Sequence, residues 1–109
     1  MNFFTELRTE TEINHFIQSR RLTFIYISKN NCSVCHSLYP QVHSVMQEFP
    51  EIKLGSIVID NYLMLAGQWS IYTAPVLILF VDGKEYLREA RYVPIDSFRK
   101  KVQRIYENF

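Results

Sequence analysis

Residues 22–40 read LTFIYISKNNCSVCHSLYP and hold both cysteines of the 109-residue chain, Cys32 and Cys35, with two residues between them. The first seven, Leu22 to Ser28, are β-branched and aromatic over a strand's length, which predicts a buried strand. After the cysteine segment, Cys35, Leu38, Val42, Val45, Met46 and Phe49 recur at three- and four-residue spacing, the pattern of one apolar helix face, ending near Pro50. Pro40 falls inside that helix. It donates no amide hydrogen and crowds the carbonyl four residues back, so a kink is expected, with the first turn partly independent. The two thiols therefore belong at a strand-to-helix junction.

That placement has a chemical consequence. The first amides of a helix lack intrahelical partners, and the aligned peptide dipoles put roughly half a positive charge at that end. A thiolate on Cys32 is favoured there. An unperturbed thiol with pKa about 8.5 is only about 3% ionised at pH 7, and lowering the pKa to about 7 raises that to roughly half. Cys32 is the candidate nucleophile. Cys35, about one turn further in, is the candidate resolving thiol that attacks the mixed disulfide and leaves the pair bridged.

Working outward, IKLGSIVID (52–60) predicts a second buried strand and NYLMLAGQW (61–69) a short helix capped by Asp60 or Asn61. PVLILFV (75–81) predicts a third strand, Asp82-Gly83 a hairpin turn, and EYLREARYV (85–93) a more polar strand near a sheet edge. Pro94 suits the first turn of a last helix with an apolar stripe of Ile95, Phe98, Val102, Ile105 and Phe109. Upstream, Ile13, Phe16 and Ile17 suggest a helix between Thr9 and Arg20, and NFFTEL (2–7) a short strand. The order (β)αβαβαββα implies an α/β fold with helices on both faces of a mixed sheet.

Composition sets the outer limits. Hydrophobic residues make up 48% and aromatics 15%, a profile for one packed core in a chain of this length. The net charge is +1 and the basic residues are scattered, so neither nucleic acid nor a membrane surface is expected as a partner. The opening MNFFTELRTETEINHF does not read as a secretory signal, and the longest apolar run, APVLILFV, is too short to span a bilayer. A cytoplasmic protein is the expectation, and in a reducing compartment a close cysteine pair points to catalysis or metal binding rather than a permanent staple.

The segment CSVC opening a helix, with Pro40 five residues after Cys35 and TAPVLILFVDGK (73–84) downstream, resembles the thioredoxin family from about Leu22 to the terminal helix. The resemblance implies a thioredoxin fold in a single domain over residues 1–109. It implies a thiol–disulfide oxidoreductase acting on protein or small-thiol disulfides, with a reductase as electron donor and no cofactor. It further implies a cis proline at Pro75 facing the cysteine pair. Pro75 would shape the substrate groove and keep metal out, and the Ala74 backbone would pair with an extended substrate. Four positions depart from the family pattern. Asn31 stands where a tryptophan precedes the first cysteine, Tyr26 where a buried acid assists the second, Ser56 where a lysine accompanies that acid, and Arg91 where a glycine lets partners approach. A tyrosine, with an unperturbed pKa of about 10, cannot replace a carboxylate base near neutrality. Slow resolution is expected, and these departures keep open a second reading, a thioredoxin-like binding module with little redox turnover.

Other readings of the same residues carry less. CSVCH satisfies a haem-attachment motif, but that chemistry belongs to exported proteins. Zinc on Cys32, Cys35, His36 or His43 lacks the second cysteine pair of a structural site, so no metal is expected. His36 reads as a first-turn helix residue able to tune the thiolate when protonated, and His15 as a helix-face residue. Trp69 and Tyr72, just before Thr73-Ala74-Pro75, either line the groove or pack inward.

Overall fold

A computed structural model describes residues 2–109. Its elements are β1 (Phe4–Glu6), α1 (Glu10–Gln18), β2 (Leu22–Ser28), α2 (Ser33–Met46), β3 (Lys53–Val58), α3 (Leu63–Gln68), β4 (Val76–Val81), β5 (Lys84–Ala90) and α4 (Ile95–Asn108). The strands form one mixed sheet in the order β1-β3-β2-β4-β5. β1 and β2 both run parallel to β3, while β4 is antiparallel to β2 and to β5.

Alternation along the central strands divides the core in two. Leu22, Phe24 and Tyr26 of β2 join Leu77 and Leu79 of β4 on one face, where α2 contributes Leu38, Val42 and Met46 and α4 contributes Phe98 and Val102. Ile25 and Ile27 join Ile78 and Phe80 on the other, beneath Ile13, Phe16 and Ile17 of α1 and Leu65 of α3. Both central strands are buried on both faces, which accounts for their continuous apolar runs. Gly55 in β3 sits under α1, where an added Cβ would lie 2.9 Å from Cζ of Phe16.

Local chemistry fixes the element ends. Thr9 caps α1, its hydroxyl accepting from the Glu12 amide at 3.0 Å. Asp82 (φ 50°) and Gly83 (φ 79°) form the tight turn between β4 and β5, both in the left-handed region that two-residue hairpins require.

Several boundaries differ from those the sequence predicts: β1, β3 and β4 are shorter than the stretches 2–7, 52–60 and 75–81, and Pro94 is the N-cap of α4 rather than a first-turn residue. α2 ends at Met46, and Phe49 reaches the core from the turn that follows. α3 is capped by neither Asp60 nor Asn61: a 3-10 turn over Ile59–Asn61 intervenes, Tyr62 is the N-cap without a side-chain bond, and the Asp60 carboxylate instead accepts from the Asn30 amide at 3.0 Å. β5 stops at Ala90 because Arg91 turns to φ 67°. At the far end of the α4 stripe, Phe109 is exposed and packs edge-on against Tyr86.

Candidate active site around Cys32 and Cys35

β2 delivers the chain to the cysteines. After Ser28 it leaves the sheet through Lys29 to Asn31, the last at φ 58°, and enters α2 with Cys32 as the N-cap residue. Asparagine is among the residues that tolerate the left-handed conformation, so Asn31 makes the turn at modest cost. Asp60 holds the loop from the β3 side through the Asn30 amide.

Cys32 and Cys35 form a disulfide with an S–S distance of 2.17 Å. The Cys32 Sγ also lies 3.2 Å from the Cys35 amide, which donates to it, and the Cys32 carbonyl accepts from the His36 amide. The first turn of α2 contains no acidic residue to offset the positive helix end. Cys32 is part-exposed, whereas Cys35 is 4% exposed and faces the core.

Beneath the pair lies an open cleft of about 890 Å³ whose walls include Tyr26, Ser28, Lys29, His36, Tyr39 and Ser56. Tyr26 and Ser56, two of the departures noted in the sequence, are direct cross-strand neighbours. The Tyr26 hydroxyl donates to the Cys35 carbonyl at 2.6 Å. Burial, and secondarily the nearby Tyr39, push the Tyr26 phenol up to about 12, so it is a neutral donor across the working pH range. Tyr39, whose pKa is also raised by burial, packs edge-on against Tyr26 at 5.3 Å and tilts against Phe4 at the same distance. Among the described residues no aspartate or glutamate lines this cleft.

The Ala74–Pro75 peptide is cis. Val76 pairs with Ile27, so Pro75 lies one residue beyond that pair, at the end of the sheet from which the cysteine loop departs. Ala74 is half-buried and Pro75 buried, and the Pro75 carbonyl accepts from the Arg91 amide at 2.8 Å. The fold thus brings Cys32, Cys35, Ala74 and Pro75 to one end of the sheet. Trp69 packs inward on Phe80 at 5.8 Å, while Tyr72 is 84% exposed. His43 sits against Phe4 and Tyr39, and among the described residues no three histidine, cysteine, aspartate or glutamate side chains cluster as a metal site would require.

Sequence reasoning missed Tyr39 and Tyr92. Tyr39 follows Cys35 by four residues and so shares its helix face, a signal that was available. Tyr92, predicted as a strand residue, lies beyond β5 and is 82% exposed.

A mixed sheet sandwiched by helices, with a disulfide at a helix N-terminus and a cis proline at the adjoining strand end, defines the thioredoxin fold class. The thioredoxin family model matches residues 4–104, and the chain belongs to the thioredoxin family. It is 44% identical over 106 residues to thioredoxin-like protein YdfQ of Bacillus subtilis, covering 97% of this chain and 95% of that one. It is 33% identical over 73 residues to a thioredoxin of Chlamydia trachomatis, covering 67% and 72% of the two chains. Among solved structures, thioredoxin from Trypanosoma brucei brucei superposes with a TM-score of 0.84 at 18% identity, covering 96% of this chain and 92% of the other. Fasciola hepatica thioredoxin superposes at 0.81 and 22% identity, covering 93% and 98%. The family and the bonded CxxC pair together support thiol–disulfide oxidoreductase activity. No helix among the described residues is long and apolar enough to cross a membrane.

Proposed function

We propose that this chain reduces disulfides in protein or small-thiol substrates, with Cys32 attacking and Cys35 resolving. The observation that carries the reading is the asymmetry of the bonded pair: a part-exposed sulfur at the α2 N-terminus, and a buried one within bonding distance of it. In the reduced protein the Cys32 thiolate, held by the Cys35 amide and the helix end, attacks one sulfur of the substrate disulfide. A mixed disulfide forms and the first substrate thiolate leaves. Cys35, having lost its proton, then attacks the Cys32 sulfur, so the Cys32–Cys35 bond forms and the second substrate thiolate departs. The substrate gains two electrons. A dithiol donor, for which a reductase is the expected class of partner, reduces Cys32–Cys35 again.

In this reading the Ala74 backbone pairs with an extended substrate segment and Pro75 shapes the groove, a role that fits their position at the end of β4 beside the cysteine loop. Residues 1–109 act as one domain, supported by the span of the family match. The chemistry suits the cytoplasm, where donors keep the pair reduced. A second reading, a binding module with incidental redox chemistry, draws on the absence of a carboxylate among the described residues lining the cleft beneath Cys35.

Reduction of insulin disulfides, with dithiothreitol as donor, separates the two. The exchange reading predicts turnover above background that Cys32→Ser abolishes, and a Cys35→Ser protein that retains substrates as mixed disulfides on Cys32. Equal, negligible rates for the native chain and Cys32→Ser support the module.

A further inference from the structure

Resting on that exchange reading, we infer that the site selects disulfides flanked by acidic residues, with Arg91 as the specificity determinant. Arg91 takes φ 67°, a backbone conformation that glycine adopts freely and a larger side chain does not. A long cationic side chain nevertheless stands there, and non-glycine residues in this region cluster at functional sites. Its amide bonds to the Pro75 carbonyl at 2.8 Å, so its backbone is fastened beside the strand end at which the substrate would lie.

Arg91 lines a groove of about 330 Å³ together with Val34, one of the two residues between the cysteines, Ser37, Gln41, Tyr92 and Pro94. Val34 is 55% and Tyr92 82% exposed, which gives the groove apolar walls without a covering element among the described residues.

Among the described residues, Arg91 is the one charged residue in this groove's lining. Its lining includes no aspartate or glutamate, and the disulfide cleft adds Lys29, again with no carboxylate among the described lining residues. Three carboxylates of adjacent elements have partners of their own. Glu89 pairs with Lys101 at 2.7 Å, Glu85 with Arg88 at 2.8 Å, and Asp60 accepts from the Asn30 amide. Asp96 lies in the first turn of α4, where it complements that helix end. Arg91 has no ion-pair partner among the described residues. A chain with a net charge of only +1 therefore presents a locally cationic rim around its disulfide. The occupant that this chemistry fits is an extended peptide bearing aspartate or glutamate near its cysteine, its carboxylate meeting the Arg91 guanidinium while apolar neighbours rest on Val34 and Tyr92.

Three synthetic peptide disulfides, identical except for glutamate, serine or lysine on either side of the cysteine, test the inference. Each kcat/KM, with dithiothreitol as donor, is divided by the peptide's own uncatalysed rate. At low ionic strength the glutamate peptide should exceed the lysine peptide by about tenfold, and the ratio should shrink in about 1 M salt, where the screening length falls to about 3 Å. Arg91→Gln should cut the ratio about threefold or more, and Arg91→Lys should keep most of it. A ratio near one in the native chain, or a ratio that Arg91→Gln leaves unchanged, overturns the inference. If all three peptides react at the background rate, the exchange reading fails. The charge selection is then read from fluorescence anisotropy of the same peptides, labelled and S-methylated: tighter binding of the glutamate peptide, lost in Arg91→Gln, upholds it, and equal affinities overturn it.

Discussion

Replacing Tyr26 with phenylalanine removes one oxygen from beneath the cysteine helix and nothing else. The hydroxyl donates to the Cys35 carbonyl at 2.6 Å, and the ring is 3% exposed among apolar neighbours that accept phenylalanine equally well. The Cys35 carbonyl lies within α2, where helix geometry offers it the Tyr39 amide as a second donor. The cost is then the net value of one buried hydrogen bond, about 1 kcal/mol. For 109 residues, at about 2.1 cal/mol/K of unfolding entropy each, this lowers the melting temperature by about 4 °C. A pH dependence accompanies it. The Tyr26 phenol is raised from 10.0 to about 12 in the fold, so between those values the unfolded chain releases a proton that the native chain keeps. Native stability therefore falls as pH rises through that window, and Tyr26→Phe lacks this loss. Denaturant titration of the oxidised protein, in which the thiols do not ionise, should show the native chain ahead by about 1 kcal/mol at pH 8 and the gap narrowing at pH 11. At pH 7 disulfide reduction should slow no more than about threefold, because a phenol near pKa 12 is no base there. A loss of a hundredfold at unchanged stability would refute the reasoning, since it would make Tyr26 the proton carrier for Cys35.

Phe98→Ala empties a position that is 1% exposed and tilted against Phe24 at 5.8 Å, and should cost about 3–5 kcal/mol in chemical denaturation. Gly55→Ala drives a methyl against Phe16 and Leu7 at 2.9 and 3.0 Å and should destabilise by about 1–3 kcal/mol, read from the melting temperature. Arg91→Gly relieves the φ 67° conformation and should be neutral or stabilising by up to about 1 kcal/mol in the same assay. A loss of more than that would mean the Arg91 side chain supports the fold rather than its surface.

The strand β2 was legible to the residue, Leu22 to Ser28, because a strand buried on both faces carries an unbroken apolar and aromatic signal. The hairpin was equally legible, since Asp82-Gly83 is among the few pairs that tolerate two successive positive φ values. α3 was harder. Asp60 carries a capping signal, but tertiary structure spends its carboxylate on the Asn30 amide, a contact thirty residues away that no local pattern encodes. The end of α2 was obscured because Phe49 is buried in phase with the helical stripe although the helix has already stopped at Met46. In the site, the spacing of Cys32 and Cys35 allowed the bonded pair, and the cis Ala74–Pro75 peptide was what the family resemblance implied. That Tyr26 and Ser56 are cross-strand partners facing one cleft depends on sheet register, which the sequence does not display. Nor does it display that Arg91 would stand without an ion-pair partner among the described residues.

The central claim is that the α2 N-terminus holds Cys32 as the reactive thiolate while Cys35 stays protected behind it. Alkylation of the reduced protein by iodoacetamide across pH, with mass spectrometry assigning each site, measures this directly. The account predicts that Cys32 reacts first, with a midpoint well below about 8.5, and that Cys35 lags with a higher one. Superimposable profiles for the two thiols, or Cys35 reacting ahead of Cys32, would contradict it.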